Sequence, residues 1–246
     1  MMGMYLRIIF GGSREIPVYV SDPSYHDALR KALPIESTAE LWKEEVYFST
    51  NLDLRGPTSS RVPSGTFAYW PPGKALCLFA WVSQPYGAVI PLGWLLGPKH
   101  YVLLLDKESS VRVEESRLEE YPERVQAAVR ILREAGFLAA PRTWNGVLSI
   151  TGASVKRDTR VGFEVFVEEH GYIIESDPVF KRDFSPLDEA LQLRIKAHLV
   201  KSRVDVNEEG YVILSDYAPT VQDLVERISR VVSEYQKVID VMSLVG

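Results

Sequence analysis

The stretch with the most suggestive chemistry is residues 69–79, YWPPGKALCLF, where Gly73-Lys74 follows a proline pair and leads into an apolar run holding the only cysteine, Cys77. A Gly-Lys pair after a bend can cradle a phosphate, two prolines can make a tight corner, and Tyr69-Trp70 can wall a ligand pocket. The phosphate loop requires Gly-x4-Gly-Lys-Ser/Thr, so that successive backbone N–H groups face the phosphate and a hydroxyl reaches the magnesium. Here the earlier position is Ala68 and the later one Ala75, and Pro71 and Pro72 remove two of the donors. The nucleotide reading fails; the corner and the pocket remain.

Other reactive side chains are dispersed. The four histidines, 26, 100, 170 and 198, have no His or Cys at metal-ligand spacing, so no metal site and no cofactor is expected. His26 and His198 fall on expected helices and His170 in a turn, which places them on the surface. Cys77, between Leu76 and Leu78, reads as a small buried hydrophobe, because no basic partner is near and an apolar setting raises the thiol pKa. The acidic pairs Glu44-Glu45, Glu114-Glu115, Glu119-Glu120, Glu168-Glu169 and Glu208-Glu209 read as solvated surface, since neighbours in a strand point to opposite faces. The aromatics are more informative. Trp42, Trp70, Trp81 and Trp94 all lie in the first hundred residues, more rings than a small barrel easily buries, so some should line a groove.

A chain of 246 residues with 46% hydrophobic and 25% charged side chains forms one large or two ordinary globular units. The formal charge of −5 gives no footprint for nucleic acid or an anionic membrane. Residues 1–110 carry 10 basic and 10 acidic side chains, leaving 18 and 23 for the rest, so all the acidity is in the second half. No apolar run is long enough for a signal peptide or a membrane span, and one cysteine fits a reducing compartment, so a cytoplasmic protein is expected. Only eight Asn and Gln beside plentiful charge is a balance found in heat-adapted proteins.

Turn signals between β-branched and aromatic runs make the first half a small β-rich barrel or sandwich. MYLRIIF and IPVYV flank GGSRE as a hairpin. Asp22 and Pro23 then open one short helix with Tyr25, Ala28, Leu29 and Ala32 on one face. LWKEEVYFST, TFAYW, ALCLFAW, VIPLGWLLG and YVLLLD read as strands, with Pro91 at an edge or a bulge. A charged stretch from about 106 to 122 marks a boundary between a domain over 1–110 and one over 118–246. Beyond it Pro122 and Gly136 bracket a helix with Val125, Ala128, Val129 and Leu132 inward, and Ser185-Pro186 opens a second. Thr220 and Asp223 cap a third, whose apolar stripe runs from Val221 to Met242 and is longer than one small sheet needs. VLSIT, VGFEVFVEE, YIIES and YVILS alternate as strands, with a turn at Glu169-His170-Gly171. The second half is therefore α+β, with helices on one face of an antiparallel sheet.

Three strings in the first half, KALPIESTAELWKEEVYFST, GTFAYWPPGKALCLF and VIPLGWLLG, resemble the small prokaryotic cyclophilin-like proteins, over roughly residues 4–105. The resemblance implies an N-terminal cyclophilin-like β-barrel, so that with its one short helix and the α+β half the chain is expected to have a mixed fold. Cyclophilins themselves are peptidyl-prolyl isomerases. Alignment to them places Ala75 where the catalytic glutamine stands, Cys77 at the pocket phenylalanine, and Gln84 and Val89 at the tryptophan and histidine; EEVYFST holds no arginine. That arginine donates to the prolyl amide as it rotates, so its loss implies very weak or absent isomerase activity.

Tyr69, Trp70 and Pro71 fall along the groove of the resembled fold, with Tyr47 facing them and Cys77 at its pocket position. These five are the expected ligand contacts, for a small molecule or a peptide segment. Three functions follow: a binding module, a divergent isomerase-like enzyme, or an assembly protein that forms homo-oligomers through the terminal helix.

Overall fold

The structure, a computed structural model, describes residues 3–157 and 159–243. Strict alternation defines β1 (Met4–Phe10), which buries Met4, Leu6, Ile8 and Phe10 and pairs antiparallel with β2 (Arg14–Val20). Gly11 and Gly12 make the bend, with φ of 55° and 76°. The short helix opens as a 3-10 turn capped by Asp22 and continues as α1 (His26–Ala32). Its buried side is Tyr25, His26 and Leu29, while Ala28 faces solvent. His26 is thus internal, contrary to its expected surface position. The chain reverses tightly after β2, and the ring packs back with Nε2 3.2 Å from the Val20 carbonyl.

Next come β3 (Ile35–Thr38), β4 (Glu40–Trp42), β5 (Glu45–Ser49), β6 (Thr66–Trp70), β7 (Ala75–Phe79), β8 (Ile90–Leu95) and β9 (Ser110–Glu115). The expected single strand LWKEEVYFST is split by a turn at Lys43-Glu44 into the β4–β5 hairpin. Pairing runs β9–β1–β2–β8–β6–β7–β5–β4, and β9 also pairs with β3, the stretch that leads into β4 past Ala39. The result is a barrel-like sheet filled by Leu6, Phe10, Phe48, Phe67, Tyr69, Leu76 and Leu78. Pro91 sits at the register shift between Phe67 and Ala68, where its missing N–H is not needed. The charged stretch 106–122 is partly strand: in β9, Val111 and Val113 face the core while Arg112 and Glu114 face out and pair with Glu36 and Arg7. YVLLLD, expected as a strand, lies in a 3-10 helix over Lys99–Leu104. An unbroken apolar run is buried on two sides here: Val102 and Leu105 enter the barrel core, while His100 and Tyr101 pack against Tyr211 and Trp144 of the second half.

The second half contains α2 (Glu123–Glu134), β10 (Leu138–Trp144), β11 (Val147–Lys156), β12 (Thr159–Glu168), β13 (Gly171–Ser176), β14 (Phe180–Lys181), α3 (Pro186–His198), β15 (Arg203–Val206), β16 (Tyr211–Ala218) and α4 (Leu224–Ser243). All pairings are antiparallel, and the order β10–β11–β12–β13–β16 joins the first sheet where Trp144 pairs with Arg14. Helices α2 and α4 lie on this sheet, with Val125, Ala128, Val129 and Leu132 buried as their spacing requires. The α4 stripe packs into the same core: Leu224, Ile228, Val231, Tyr235 and Val238 are buried, and Val225, Val232, Ile239 and Met242 flank them. No helix of the described residues is long and apolar enough to cross a membrane.

One ion pair ties the halves together. Arg160, on β12, is fully buried; it donates to Asp177 at 2.9 Å, to the Leu95 carbonyl at 2.8 Å and to the Gly97 carbonyl. Asp177 also accepts from the backbone N–H of Gly162 and of Lys99. Every charge is answered, which a buried pair needs to offset its desolvation. Asp177→Asn leaves the guanidinium uncompensated and is expected to cost about 3–5 kcal/mol in chemical denaturation; a loss below about 1 kcal/mol would show the pair to be dispensable.

On the sheet face away from the helices, Arg142 donates to Glu164 at 2.6 Å, and its guanidinium lies 3.8 Å from the Tyr101 ring centroid. Glu175 stands directly across the strands from Glu164. Burial, then the charges of Glu164, Glu209, Asp205 and Glu208, push its carboxyl up to about 7. Between the ordinary 4.5 and about 7 the folded chain keeps a proton that the unfolded chain releases, so this group subtracts stability as pH rises through that window. Glu175→Gln is expected to raise the Tm at pH 8, with the gain shrinking toward pH 5. A gain independent of pH would contradict this origin.

Candidate functional site

Side chains fill the barrel-like interior, so the space open to a ligand is on its outer surface. Strand parity decides which residues meet there. In β5, Val46 and Phe48 point inward, so Glu45 and Tyr47 point out. In β6, Phe67 and Tyr69 point in, and Ala68 and Trp70 out. Tyr47 lies opposite Cys77, Cys77 opposite Ala68, and Trp42 opposite Glu45. On this outer face Val62, Ala68, Cys77, Phe79 and Val89 form a small apolar floor with Tyr47 and Trp70 packed on it.

Over the floor opens a pocket of about 200 Å³ lined by Trp42, Glu45, Tyr47, Trp70, Pro85, Tyr86, Gly87 and Val89. The Tyr47 and Trp70 rings meet edge to face, 6.5 Å between centroids at 80°. The Pro71–Lys74 turn, closed by Lys74 N–H to the Pro71 carbonyl at 3.2 Å, brings Gly73 under the Trp70 indole. A Cβ there would stand 2.3 Å from the ring, so only glycine lets the indole lie flat across the turn. Gly87 covers the indole edge: its Cβ would be 3.0 Å from Nε1, a buried donor with no hydrogen-bond partner among the described residues. Tyr86, 90% exposed, stands at the mouth.

The expected contacts divide. Tyr47 and Trp70 line the pocket. Cys77 lies behind its wall, fully buried, where burial and the neighbouring Glu45 carboxylate raise the thiol pKa well above its ordinary value. It supports the floor and does not line the pocket. Tyr69 is a correction: neighbours in β6 alternate, so it enters the barrel core and its hydroxyl donates to the Leu52 carbonyl at 2.6 Å. Pro71 belongs to the turn and is not a lining residue.

Glu45 is a second correction. Its expected solvated position is instead only 8% exposed, and burial raises its pKa, opposed by the Cys77 thiol and reinforced by Glu44. The signal for it was its parity with Tyr47, two residues away on the same strand face. Pro85, Tyr86 and Gly87 come from a loop that periodicity does not address, and Trp42 joins them only because the β4–β5 hairpin folds it back beside Glu45.

The sequence profile of the family described as cyclophilin-like matches residues 4–114. A similar solved protein, a hypothetical protein from Archaeoglobus fulgidus known from a solution structure, is 32% identical over 46% of this chain and 95% of its own, with a TM-score of 0.39. Residues 4–114 are a cyclophilin-like domain. No curated protein matches the chain.

The resemblance sets three positions of this domain against isomerase residues. Val89, aligned with the histidine, lines the pocket; Ala75, aligned with the glutamine, is buried beside Trp70; Gln84 is exposed and outside the lining. Among the described residues, no arginine, lysine or histidine lines the pocket.

Proposed function

We propose that the cyclophilin-like domain is a binding module whose outer pocket holds a small molecule or a single side chain of a peptide, without isomerising a prolyl bond. The observation that carries this reading is the pocket's lining: aromatic rings from three strands and a loop converge on a concave site that lacks a guanidinium. In the resembled isomerases a guanidinium follows the prolyl amide as it rotates, and among the described residues the lining holds none. At about 200 Å³ the pocket is smaller than the roughly 300–1,000 Å³ of sites for drug-sized ligands, which fits one head group or one side chain.

Tyr47 and Trp70 are the contacts this reading assigns, with Trp42 and Tyr86 completing the walls. The second half supports the module by anchoring the strand that ends in Leu95 and the segment after it. A thermal-shift screen of metabolites and short peptides is expected to find stabilisers whose effect disappears in Trp70→Ala while the variant's unliganded Tm stays within a few degrees of wild type. No stabiliser at all would count against the reading. In a protease-coupled assay the protein is expected to give no prolyl isomerisation above the uncatalysed rate; a catalysed rate lost in Trp70→Ala would favour the enzyme instead.

A further inference from the structure

The pocket's electrostatics are one-sided. Trp42, Tyr47, Trp70 and Tyr86 line it, and the faces of aromatic rings carry negative potential. Glu45 adds a carboxylate at the wall, almost fully withdrawn from water. Among the described residues, the groups acting on that carboxylate are the Cys77 thiol and the like charge of Glu44, with no cation beside them. A secluded acidic group without a counter-ion is an unusual arrangement in a folded protein, where such groups are paired or coordinate metals. Trp42 already attracts a cation from its own neighbourhood: Lys43 Nζ stands 4.5 Å from its ring centroid, yet Lys43 is not among the lining residues.

We propose that the pocket binds a small organic cation, an ammonium group bearing apolar substituents, with Glu45 as counter-ion and the rings of Trp42, Tyr47, Trp70 and Tyr86 as its cage. The inference rests on the reading of this pocket as a ligand site and adds the ligand's chemical class. A hard metal cation does not fit, because it requires six or more oxygen ligands and the lining offers one carboxylate among rings. An anion meets the charge of Glu45 and the ring faces without a cationic side chain to receive it. An alkylated ammonium satisfies both features: its substituents pack on the rings, and its diffuse charge is shed from water at low cost and is drawn to both quadrupole and carboxylate. The same chemistry is available from a free small molecule and from a methylated lysine side chain of a partner.

The test compares choline with its uncharged carbon analogue, dimethylbutanol, by calorimetry and by the indole N–H resonances of the full-length protein at pH 8. A peptide carrying trimethyllysine is the third probe. Choline or the peptide is expected to bind about tenfold more tightly than the uncharged analogue, and the tighter of the two identifies the source. In Glu45→Gln, which keeps the shape of the side chain, the preference for charge should fall to near unity. Trp42→Leu, a change on the edge strand β4, should weaken the cations more than the analogue and serves if Glu45→Gln does not fold. Equal or tighter binding of the uncharged analogue overturns the cation assignment and leaves the pocket reading intact. Failure of all three probes to move any indole resonance overturns the assignment as well, and the thermal-shift screen then judges the pocket reading separately.

Discussion

A single guanidinium holds the junction between the two halves. Arg160 sits where the outer end of β8 meets the second sheet, and its three directions of donation reach a carboxylate and two carbonyls belonging to different halves. Arginine alone among side chains offers that rigid fork while remaining charged in a dry interior. Gly65 and Gly162 lack side chains at the places where a Cβ would collide with it or with the carbonyl it holds. The strand β8 that it holds is also the neighbour of β6, so the placement of Trp70 is supported, one strand removed, by a residue outside the cyclophilin-like domain.

Filling decides where function can reside. A barrel-like sheet of this size spends its inward side chains on packing, and what remains for recognition is the outer face of a few strands together with the loops that cross it. The outer floor is made of small residues, Ala68, Cys77 and Val89, which leaves room above them for rings from both sides. Two glycines then set the attitude of one indole. Gly73 removes the obstacle beneath it and Gly87 closes over its edge, so the wall is shaped as much by missing side chains as by present ones.

Much of this was legible in the sequence, and what was not has physical reasons. The β1–β2 hairpin, α2 and α4 follow from local alternation, caps and periodicity, all expressed within a dozen or so residues. Tyr47 and Trp70 came from the resemblance, which sets them along the groove of the resembled fold, and both line the outer pocket. Tyr69 was misplaced because a resemblance aligns whole strings, whereas a strand sends adjacent residues to opposite faces. YVLLLD was misread because an apolar run without alternation looks alike in a strand and in a helix packed on two sides. The buried charges Arg142, Arg160, Glu164 and Asp177 left no trace in composition. Their partners lie between 15 and 78 residues away, and nothing local marks a charged residue as internal.

The chain's only thiol lies behind the pocket wall, with its sulfur beneath the residues that line the opening. A maleimide or disulfide reagent reaches Cys77 only when β5, β6 or the loop through Gly87 moves aside. Labelling speed is therefore a clock for breathing of the recognition face, read without adding a probe and without a second cysteine to confuse the signal.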